Sequence, residues 1–200
     1  MESLFKNPWP YTGKLHVYAL PDDELRDELL GYQTILDGVD YCRPQPRDYL
    51  HATVQSYPVF RQQVRGARLD ALQDGLAQFT ATLAPFTLRF GGPVVHKRAI
   101  TADAEGIESW EQLVAGIRRA ATSTVCTEDD LDKAPFRPHM SLGYAKADGS
   151  TAELKQALAA LGRPLDRELV VDQVHLLAVD MHPDEGRFDW EPVASYKLGG

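Results

Sequence analysis

The sequence predicts an α+β fold built as two similar lobes, and three observations support this prediction. Strand-like and helix-like segments alternate along all 200 residues. Each half of the chain contains, in this order, a helix, a proline-bearing connector and a strand with a His-x-Thr or His-x-Ser motif, which indicates a diverged internal duplication. No flexible linker separates the halves, so we expect residues 1–200 to form one domain whose two lobes face each other.

In the first half, apolar and β-branched runs predict strands, and apolar positions at helical spacing predict helices. Pro21 ends the first strand, and acidic residues from Asp22 onward favour the start of the first helix through the helix dipole. The glycines and proline at positions 91–93 predict a hairpin. The predicted strands are 15–20, 49–57, 86–90 and 94–102, and the predicted helices are 22–36 and 68–83.

The second half follows the same alternation. A polar, acidic loop over residues 127–133 separates a helix from the strand that carries the second histidine motif. Pro138 fits only near the start of that strand or on a sheet edge, because proline cannot donate to the strand ladder. The predicted helices are 106–124 and 151–161, and the predicted strands are 138–145, 169–180 and 188–198.

Composition and charge limit the class of protein. Hydrophobic residues make up 44% of the chain and charged residues 25%, which is ordinary globular usage. The formal net charge of −8 argues against a protein that coats long nucleic acid through its phosphates. Five arginines lie between residues 43 and 68 with one acid, Asp48, and this segment predicts a basic rim beside the first motif.

The cysteine content and the N-terminal segment predict a compartment. Two cysteines, Cys42 and Cys126, with no pairing motif are typical of reduced thiols in a cytoplasmic protein. The N-terminal residues lack the apolar run of a secretory signal, and no run approaches the roughly 18 apolar residues of a membrane span. We therefore expect a cytoplasmic protein with no membrane partner, and a monomer, since nothing in the sequence indicates an obligate assembly.

The first motif lies in the predicted strand 49–57. Alternate side chains of a strand share a face, so Tyr49, His51, Thr53 and Gln55 are expected to point the same way. In the second motif the same rule places Arg137, His139 and Ser141 on one face. Met140, Leu142 and Tyr144 are expected on the other face of that strand.

A pair of imidazoles beside hydroxyls suits in-line cleavage of a phosphodiester. One imidazole can deprotonate the nucleophile and the other can protonate the leaving oxygen, since both titrate near neutrality. The hydroxyls of Thr53 and Ser141 can donate to the non-bridging phosphate oxygens, and Arg137 can add a charge-assisted contact. A single copy of the motif would favour a structural histidine, whereas two copies on predicted strands favour a functional pair.

These two segments, 50–54 and 137–142, resemble the paired motifs of the two-histidine (2H) phosphoesterases, and most of all the bacterial 2′-5′ RNA ligase-like proteins, also described as RNA 2′,3′-cyclic phosphodiesterases. The resemblance covers about residues 15–198. It implies a bilobal LigT-like fold, with two pseudo-symmetric antiparallel-sheet lobes, outer helices and a central cleft. It also implies His51 as proton donor to the leaving oxygen, His139 as base on water, and Thr53 and Ser141 as phosphate ligands.

The implied activity is the opening of 2′,3′-cyclic phosphates on RNA ends or nucleotides to 2′-phosphates, without a metal or cofactor, and with ligation as the reverse reaction. Serine at position 141 replaces the family's commoner threonine and keeps the hydroxyl. The lead-in over residues 43–49 departs from the family's aromatic-and-proline approach, which bears on substrate choice. Cyclic nucleotides, RNA ends, 2′-5′ oligonucleotides, ADP-ribose cyclic phosphate and cyclic dinucleotides all remain open as substrates.

Two other function classes remain as alternatives. A non-catalytic RNA- or nucleotide-binding protein would keep the cleft without turnover. A metallohydrolase would use His51 and His139 as ligands, although no Cys-x-x-Cys or His-Glu-x-x-His pattern supports it.

Further residues have a functional interpretation beside a structural one. Tyr49 and Tyr144 are candidate substrate contacts, and so is Gln55. Tyr57 and Phe136 could also stack on a base, but core packing is the simpler explanation for each aromatic residue. His16 is expected either to face solvent or to project into the cleft. The run His96-Lys97-Arg98 is expected to be a solvated face or a contact for a second phosphate.

Overall fold

The computed structural model describes residues 1–135 and 137–199. Ten strands and four helices are found there. The strands are β1 (Lys14–Ala19), β2 (Cys42–Pro44), β3 (Ala52–Phe60), β4 (Phe86–Phe90), β5 (Val94–Val95), β6 (Ala99–Asp103), β7 (His139–Ala145), β8 (Arg167–Val171), β9 (Gln173–His182) and β10 (Arg187–Lys197). The helices are α1 (Asp23–Gln33), α2 (Ala67–Thr80), α3 (Glu108–Thr122) and α4 (Thr151–Leu161).

The predicted elements are confirmed, with local corrections to their bounds. The strand predicted over 49–57 begins only at Ala52, because a 3₁₀ turn over Arg47–Tyr49 precedes it. The strand predicted over 94–102 is divided into β5 and β6 by a turn at residues 96–98. The strand predicted over 169–180 is divided at Asp172 into β8 and β9.

Helix α1 shows how local sequence sets an element boundary. The side chain of Asp22 accepts a hydrogen bond from the Leu25 amide at 2.8 Å, which satisfies one of the free donors at the helix start. Leu25, Leu29 and Tyr32 form its buried face. Its predicted start, from the acidic residues that follow Pro21, is thus confirmed to within one residue.

Two groups of antiparallel strands form the lobes. The first lobe contains β10, β9, β1 and β3 in that order, with α2 and α3 packed against it. The second contains β7, β6 and β5, with β2 on the other edge of β7 and with α1 and α4 packed against it. One residue pair, Ala52 opposite Met140, links β3 to β7 and makes the two groups one eight-stranded sheet. Strands β4 and β8 form a separate ribbon.

The two lobes are interlocked by an exchange of helices. Helix α1 lies in the chain between β1 and β3 of the first lobe, but it packs against β7 of the second. Helix α3 lies between β6 and β7 of the second lobe, but it packs against β3 of the first. Each lobe therefore depends on a helix from the other half of the sequence, so the internal duplication does not produce two separable units.

Buried side chains form two clusters that the sheet separates. The larger cluster contains the apolar faces of all four helices and reaches through both lobes. A smaller cluster is mainly aromatic and includes the rings of Phe5, Tyr18, Tyr144 and Phe188. Because Tyr18 and Tyr144 also line the cavity described below, this second cluster forms part of the wall of the cleft.

Candidate active site

The two motif histidines lie directly beside the pair that links the lobes. His51 precedes Ala52, and His139 precedes Met140. The Nδ1 atom of His51 lies 2.9 Å from the main-chain oxygen of Tyr49, and the Nδ1 atom of His139 lies 3.0 Å from that of Arg137. Because a carbonyl oxygen can only accept, each Nδ1 carries the hydrogen. In its neutral form each imidazole therefore presents an unprotonated Nε2.

A cavity of about 280 Å³ brings both motifs together. It contains both histidines and both motif hydroxyls, which is the juxtaposition expected from the sequence. It also contains aromatic side chains and a third histidine that the motif argument did not require. The lining residues are Leu4, Trp9, His16, Tyr18, His51, Thr53, Ala99, Thr101, His139, Ser141, Tyr144 and Phe188.

Each motif strand contains a β-bulge immediately after its hydroxyl residue. On β3, Thr53 is opposite Tyr18 and Gln55 is opposite Val17, so Val54 is an extra residue. On β7, Ser141 is opposite Thr101 and Gly143 is opposite Ile100, so Leu142 is the extra residue. An extra residue reverses the alternation of faces beyond it.

The bulges correct two expectations about faces. Tyr144 was expected on the face of the strand that points away from His139. The bulge instead turns its ring into the cleft, where the residue is only 6% exposed. Gln55 was expected on the face of His51, and this is wrong, because beyond the bulge it pairs with Val17 on the other face of the sheet. Strict period-two alternation cannot reveal such a reversal, since nothing in the residue types marks the extra position.

Gln55 holds a loop instead of facing the cleft. Its side-chain amide donates to the main-chain oxygens of Ser56 at 2.7 Å and Asp132 at 3.0 Å. Its side-chain oxygen accepts from Arg118 at 3.0 Å. The side chain is fully buried, so these bonds fix the acidic loop against β3 and leave Gln55 no surface for a substrate.

Tyr49 and Arg137 contribute main-chain oxygens, while their side chains lie outside the cavity. The ring of Tyr49 packs edge-on against Trp190, with centroids 4.9 Å apart. The guanidinium of Arg137 lies 3.8 Å from Asp103 and lines an adjoining cavity that also contains His139. Tyr57 is buried in the core, and Phe136 lies outside the described residues.

The surroundings of His51 disfavour a charge on its ring. The ring is 6% exposed and is stacked on Tyr18, with centroids 3.9 Å apart and planes 11° apart. Trp190 contacts it edge-on at 5.2 Å. Burial, with a smaller effect of nearby His139, lowers the pKa of His51 to about 4. His51 is therefore neutral in the unliganded protein at neutral pH.

Both motif hydroxyls have a tyrosine neighbour. The Tyr18 hydroxyl interacts with Thr53, and the Tyr144 hydroxyl interacts with Ser141. Burial raises the pKa of Tyr144 to about 12, so its hydroxyl keeps its proton at neutral pH. Each motif hydroxyl therefore has a protonated phenol beside it in the cleft.

Two glutamines missed in the sequence connect the two motifs. The buried side chain of Gln45 donates to the oxygen of Tyr49 at 2.9 Å, the same oxygen that holds His51. Gln33 donates to the main-chain oxygens of Gln45 at 2.6 Å and Leu142 at 2.8 Å. These are positioning residues, because they fix the lead-in to His51 against the bulge of β7. Gln45 lies in the unusual lead-in noted above, but its residue type alone gave no signal.

The expected basic rim beside His51 does not form. Arg47 pairs with Asp23 and Asp27 of α1, while Arg61 and Arg65 line a separate cavity beyond the far end of β3. The separation follows from strand geometry, because a strand advances about 3.3 Å per residue and β3 carries the chain away from His51. Three cationic residues, Lys97, Arg98 and Arg137, line the cavity next to His139.

Within residues 1–135 and 137–199, no three His, Cys, Asp or Glu side chains are placed to hold a metal ion. In the same residues, no helix is both long and apolar enough to cross a membrane.

Comparison with known proteins defines first the class of fold and then the family. The E. coli LigT structure with 3′-AMP superposes with a TM-score of 0.69 at 19% identity, covering 94% of this chain and 99% of that one. The TT0787 protein of Thermus thermophilus gives a TM-score of 0.67 at 21% identity, covering 94% and 98%. A structure described as a phosphoesterase gives 0.69 at 18% identity, covering 95% and 100%. The protein thus has the α+β LigT-like fold of the 2H phosphoesterases.

The family model of the 2′-5′ RNA ligase superfamily matches residues 21–182, well over half of the chain. The chain belongs to this superfamily, as its two motifs indicated. Its relatives are phosphoesterase and ligase-like enzymes. A comparison with curated protein sequences gives no match.

Proposed function

We propose that this protein hydrolyses 2′,3′-cyclic phosphates of RNA ends or nucleotides to 2′-phosphates by metal-independent acid–base catalysis. One observation carries the proposal: two imidazoles with the same tautomer, and a hydroxyl from each motif, line one cavity between the lobes. A protein that only bound nucleotides would have no use for two imidazoles fixed in this way.

The proposed reaction is an in-line displacement at phosphorus. The Nε2 atom of His139 takes a proton from water as the water oxygen bonds to phosphorus. The bond between phosphorus and O3′ breaks, and O3′ takes a proton from Nε2 of His51, which leaves the phosphate on O2′. Thr53 and Ser141 donate hydrogen bonds to the non-bridging oxygens and stabilise the charge that develops on them. If a 5′-hydroxyl attacked in place of water, the same base and acid would form a 2′-5′ linkage, with O3′ again leaving and taking the proton.

The bound phosphate has a second role at His51. A proton donor must be protonated, whereas burial keeps this ring neutral in the unliganded cleft. A phosphate anion within hydrogen-bond distance favours the imidazolium and raises its pKa. Substrate binding and protonation of His51 are therefore coupled, and the cleft takes up a proton as it is loaded.

The fold supports a small nucleotide ligand. Solved structures of E. coli LigT contain 3′-AMP, ATP and NADP⁺. Those ligands belong to that protein, at 17–19% identity to this chain. Here the aromatic wall formed by Trp9, Tyr18 and Phe188 offers stacking surface for a nucleobase beside the phosphate site.

The test is hydrolysis of adenosine 2′,3′-cyclic phosphate in excess chelator by the wild type and by His51→Ala and His139→Ala. Each variant should lose about 10²–10⁴-fold in kcat, the usual contribution of a positioned acid or base. His182→Ala is the matched control, because its imidazole pairs with Asp189 outside the cleft. Chromatography of the product should show the 2′-phosphate.

The alternatives predict other outcomes of this assay. A binding protein would retain the nucleotide in both variants and release no product. A metallohydrolase would lose its activity in chelator and recover it with added metal. Full activity of either histidine variant would refute the acid–base assignment.

An activated diester separates the roles of the two histidines. In the 4-nitrophenyl ester of a nucleoside phosphate, the leaving group departs without a proton. His51→Ala should therefore regain most of its rate on this ester, and His139→Ala should not. The reverse result would make His51 the base, the role that its neutral state in the unliganded protein favours.

A further inference from the structure

A third histidine faces the cleft on the side of His51. His16 lies on β1, is 5% exposed, and lines the same cavity as His51 and His139. Its Nδ1 atom lies 3.0 Å from the main-chain oxygen of Lys14, two residues earlier, which repeats the geometry of both motif histidines. The hydrogen is therefore on Nδ1, and Nε2 presents a lone pair.

The Nε2 atom of His16 lacks a protein partner. No group in the described part of the chain hydrogen-bonds to it, and the atom itself is accessible from the cavity. A nucleoside bound there would displace the solvent, and the acceptor would then need a donor from the ligand to avoid the free-energy cost of an unpaired group. The motif mechanism uses His51 and His139 and leaves this acceptor unused.

The surroundings of His16 select an uncharged ligand group. The Trp9 ring is tilted by 32° to the His16 ring, with centroids 5.4 Å apart, and the Tyr18 ring contacts it edge-on at 5.3 Å. Burial lowers the pKa of His16 to about 3, so the ring stays neutral at physiological pH. The two charged groups that act on His16, Lys14 and Asp132, pair with each other at 2.8 Å. A neutral acceptor beside aromatic rings and this ion pair suits a hydroxyl or amino donor and not a phosphate oxygen.

We infer that His16 Nε2 accepts a hydrogen bond from the nucleoside part of the substrate, which makes His16 a specificity-determining residue. The inference rests on the proposed function and deepens it. In adenosine 2′,3′-cyclic phosphate only the 5′-hydroxyl and the 6-amino group can donate, since O2′ and O3′ are both esterified. Within an RNA chain the 5′-oxygen is esterified as well. If the 5′-hydroxyl donates to His16, the cleft is built for free nucleotides. If the 6-amino group donates, the cleft can also take the nucleobase at an RNA end.

The experiment compares adenosine 2′,3′-cyclic phosphate with two analogues, each of which lacks one of its two hydrogen-bond donors. The three compounds are the 2′,3′-cyclic phosphates of adenosine, of purine riboside, which lacks the 6-amino group, and of 5′-deoxyadenosine, which lacks the 5′-hydroxyl. Wild type should lose about 10–100-fold in kcat/KM on one analogue, the cost of an unpaired buried acceptor. His16→Phe keeps a ring beside Trp9 and should hydrolyse that analogue as well as it hydrolyses the adenosine compound.

The control variant is His175→Phe. This histidine lies opposite Tyr18 on β9, but its Nδ1 atom is 2.8 Å from Ser195 and it does not line the cavity. The variant should show the same ratio of kcat/KM values between the adenosine compound and the analogue as the wild type. Loss on the purine analogue assigns the donor to the base, and loss on the 5′-deoxy analogue assigns it to the sugar.

A binding assay keeps the inference testable if no substrate is turned over, an outcome that would count against the proposed function alone. Titration calorimetry with the 2′-phosphates of the same three nucleosides should show a higher Kd for one analogue in wild type. In His16→Phe the Kd of that analogue should equal the Kd of the adenosine compound. Equal discrimination by wild type and His16→Phe, or none by wild type in either assay, overturns the inference.

Discussion

His51 and His139 are held by the same main-chain geometry and meet different surroundings. Each donates from Nδ1 to the carbonyl two residues earlier, and each strand bulges after its hydroxyl residue. His51 is buried among aromatic rings, whereas His139 is half-buried and borders a cavity of about 470 Å³ lined by cationic side chains. The repeated main-chain geometry thus presents both imidazoles in the same way, and side chains outside the motifs give each imidazole its own surroundings.

Acid unfolding is expected to give the largest difference between the His51 side and the His139 side of the cleft. His16 and His51 have folded pKa values of about 3 and about 4, below the ordinary value near 6.5. As the pH falls below 6.5, these imidazoles take up protons in the unfolded chain before they do so in the folded protein. The stability that the neutral buried rings provide is therefore complete above pH 6.5, and it is lost as the pH falls toward 4 for His51 and 3 for His16. Each should remove about 2–3 kcal/mol of the free energy of unfolding between pH 7 and 4.5.

Urea unfolding at several pH values measures this effect. His16→Phe and His51→Phe should each flatten the dependence over this interval, because the substituted ring no longer titrates. An unchanged slope in both variants would show that other groups govern acid unfolding.

Removal of the motif hydroxyls tests whether both lobes hold the phosphate. Thr53→Val and Ser141→Ala should each lower kcat by about 10²-fold, the usual loss for one donor to a developing charge. The matched exchanges Thr53→Ser and Ser141→Thr keep a hydroxyl and should stay within a few-fold of wild type. A large loss in only one of the two deletions would mean that the phosphate is bound by one lobe alone.

A smaller effect is expected at the position four residues after each histidine. Gln55 fills this position on β3, while β7 has Gly143, where an added Cβ would lie 2.8 Å from the Arg43 carbonyl and 2.7 Å from Leu36. Gly143→Ala should destabilise the protein by about 1–3 kcal/mol. Calorimetry should show this as a lower Tm, by roughly 2–4 °C per kcal/mol.

Gly106→Ala is the control for that substitution, because an added Cβ at position 106 meets open space. It should leave the Tm close to that of the wild type. Equal Tm values for the two variants would show that β2 can move away from β7 without cost.

The sequence was sufficient to predict the elements and the placement of both motifs in one cavity, because apolar periodicity and the repeated His-x-Thr/Ser pattern are local signals. It could not place Gln55 and Tyr144, since a β-bulge reverses faces without a mark in the residue types. It also missed Gln45, whose bond to Tyr49 depends on the 3₁₀ turn over Arg47–Tyr49. The exchange of α1 and α3 between the lobes was equally hidden, because it depends on contacts far apart in the chain.

The single pair between Ala52 and Met140 has a mechanical consequence. In the described chain it is the one place where a strand of the first lobe bonds to a strand of the second, and each imidazole is carried by the residue next to it. When one body turns about a pivot, displacement grows with distance from the axis. Any shift of one lobe against the other would therefore change the spacing of the two imidazoles less than it changes the outer rim of the cleft.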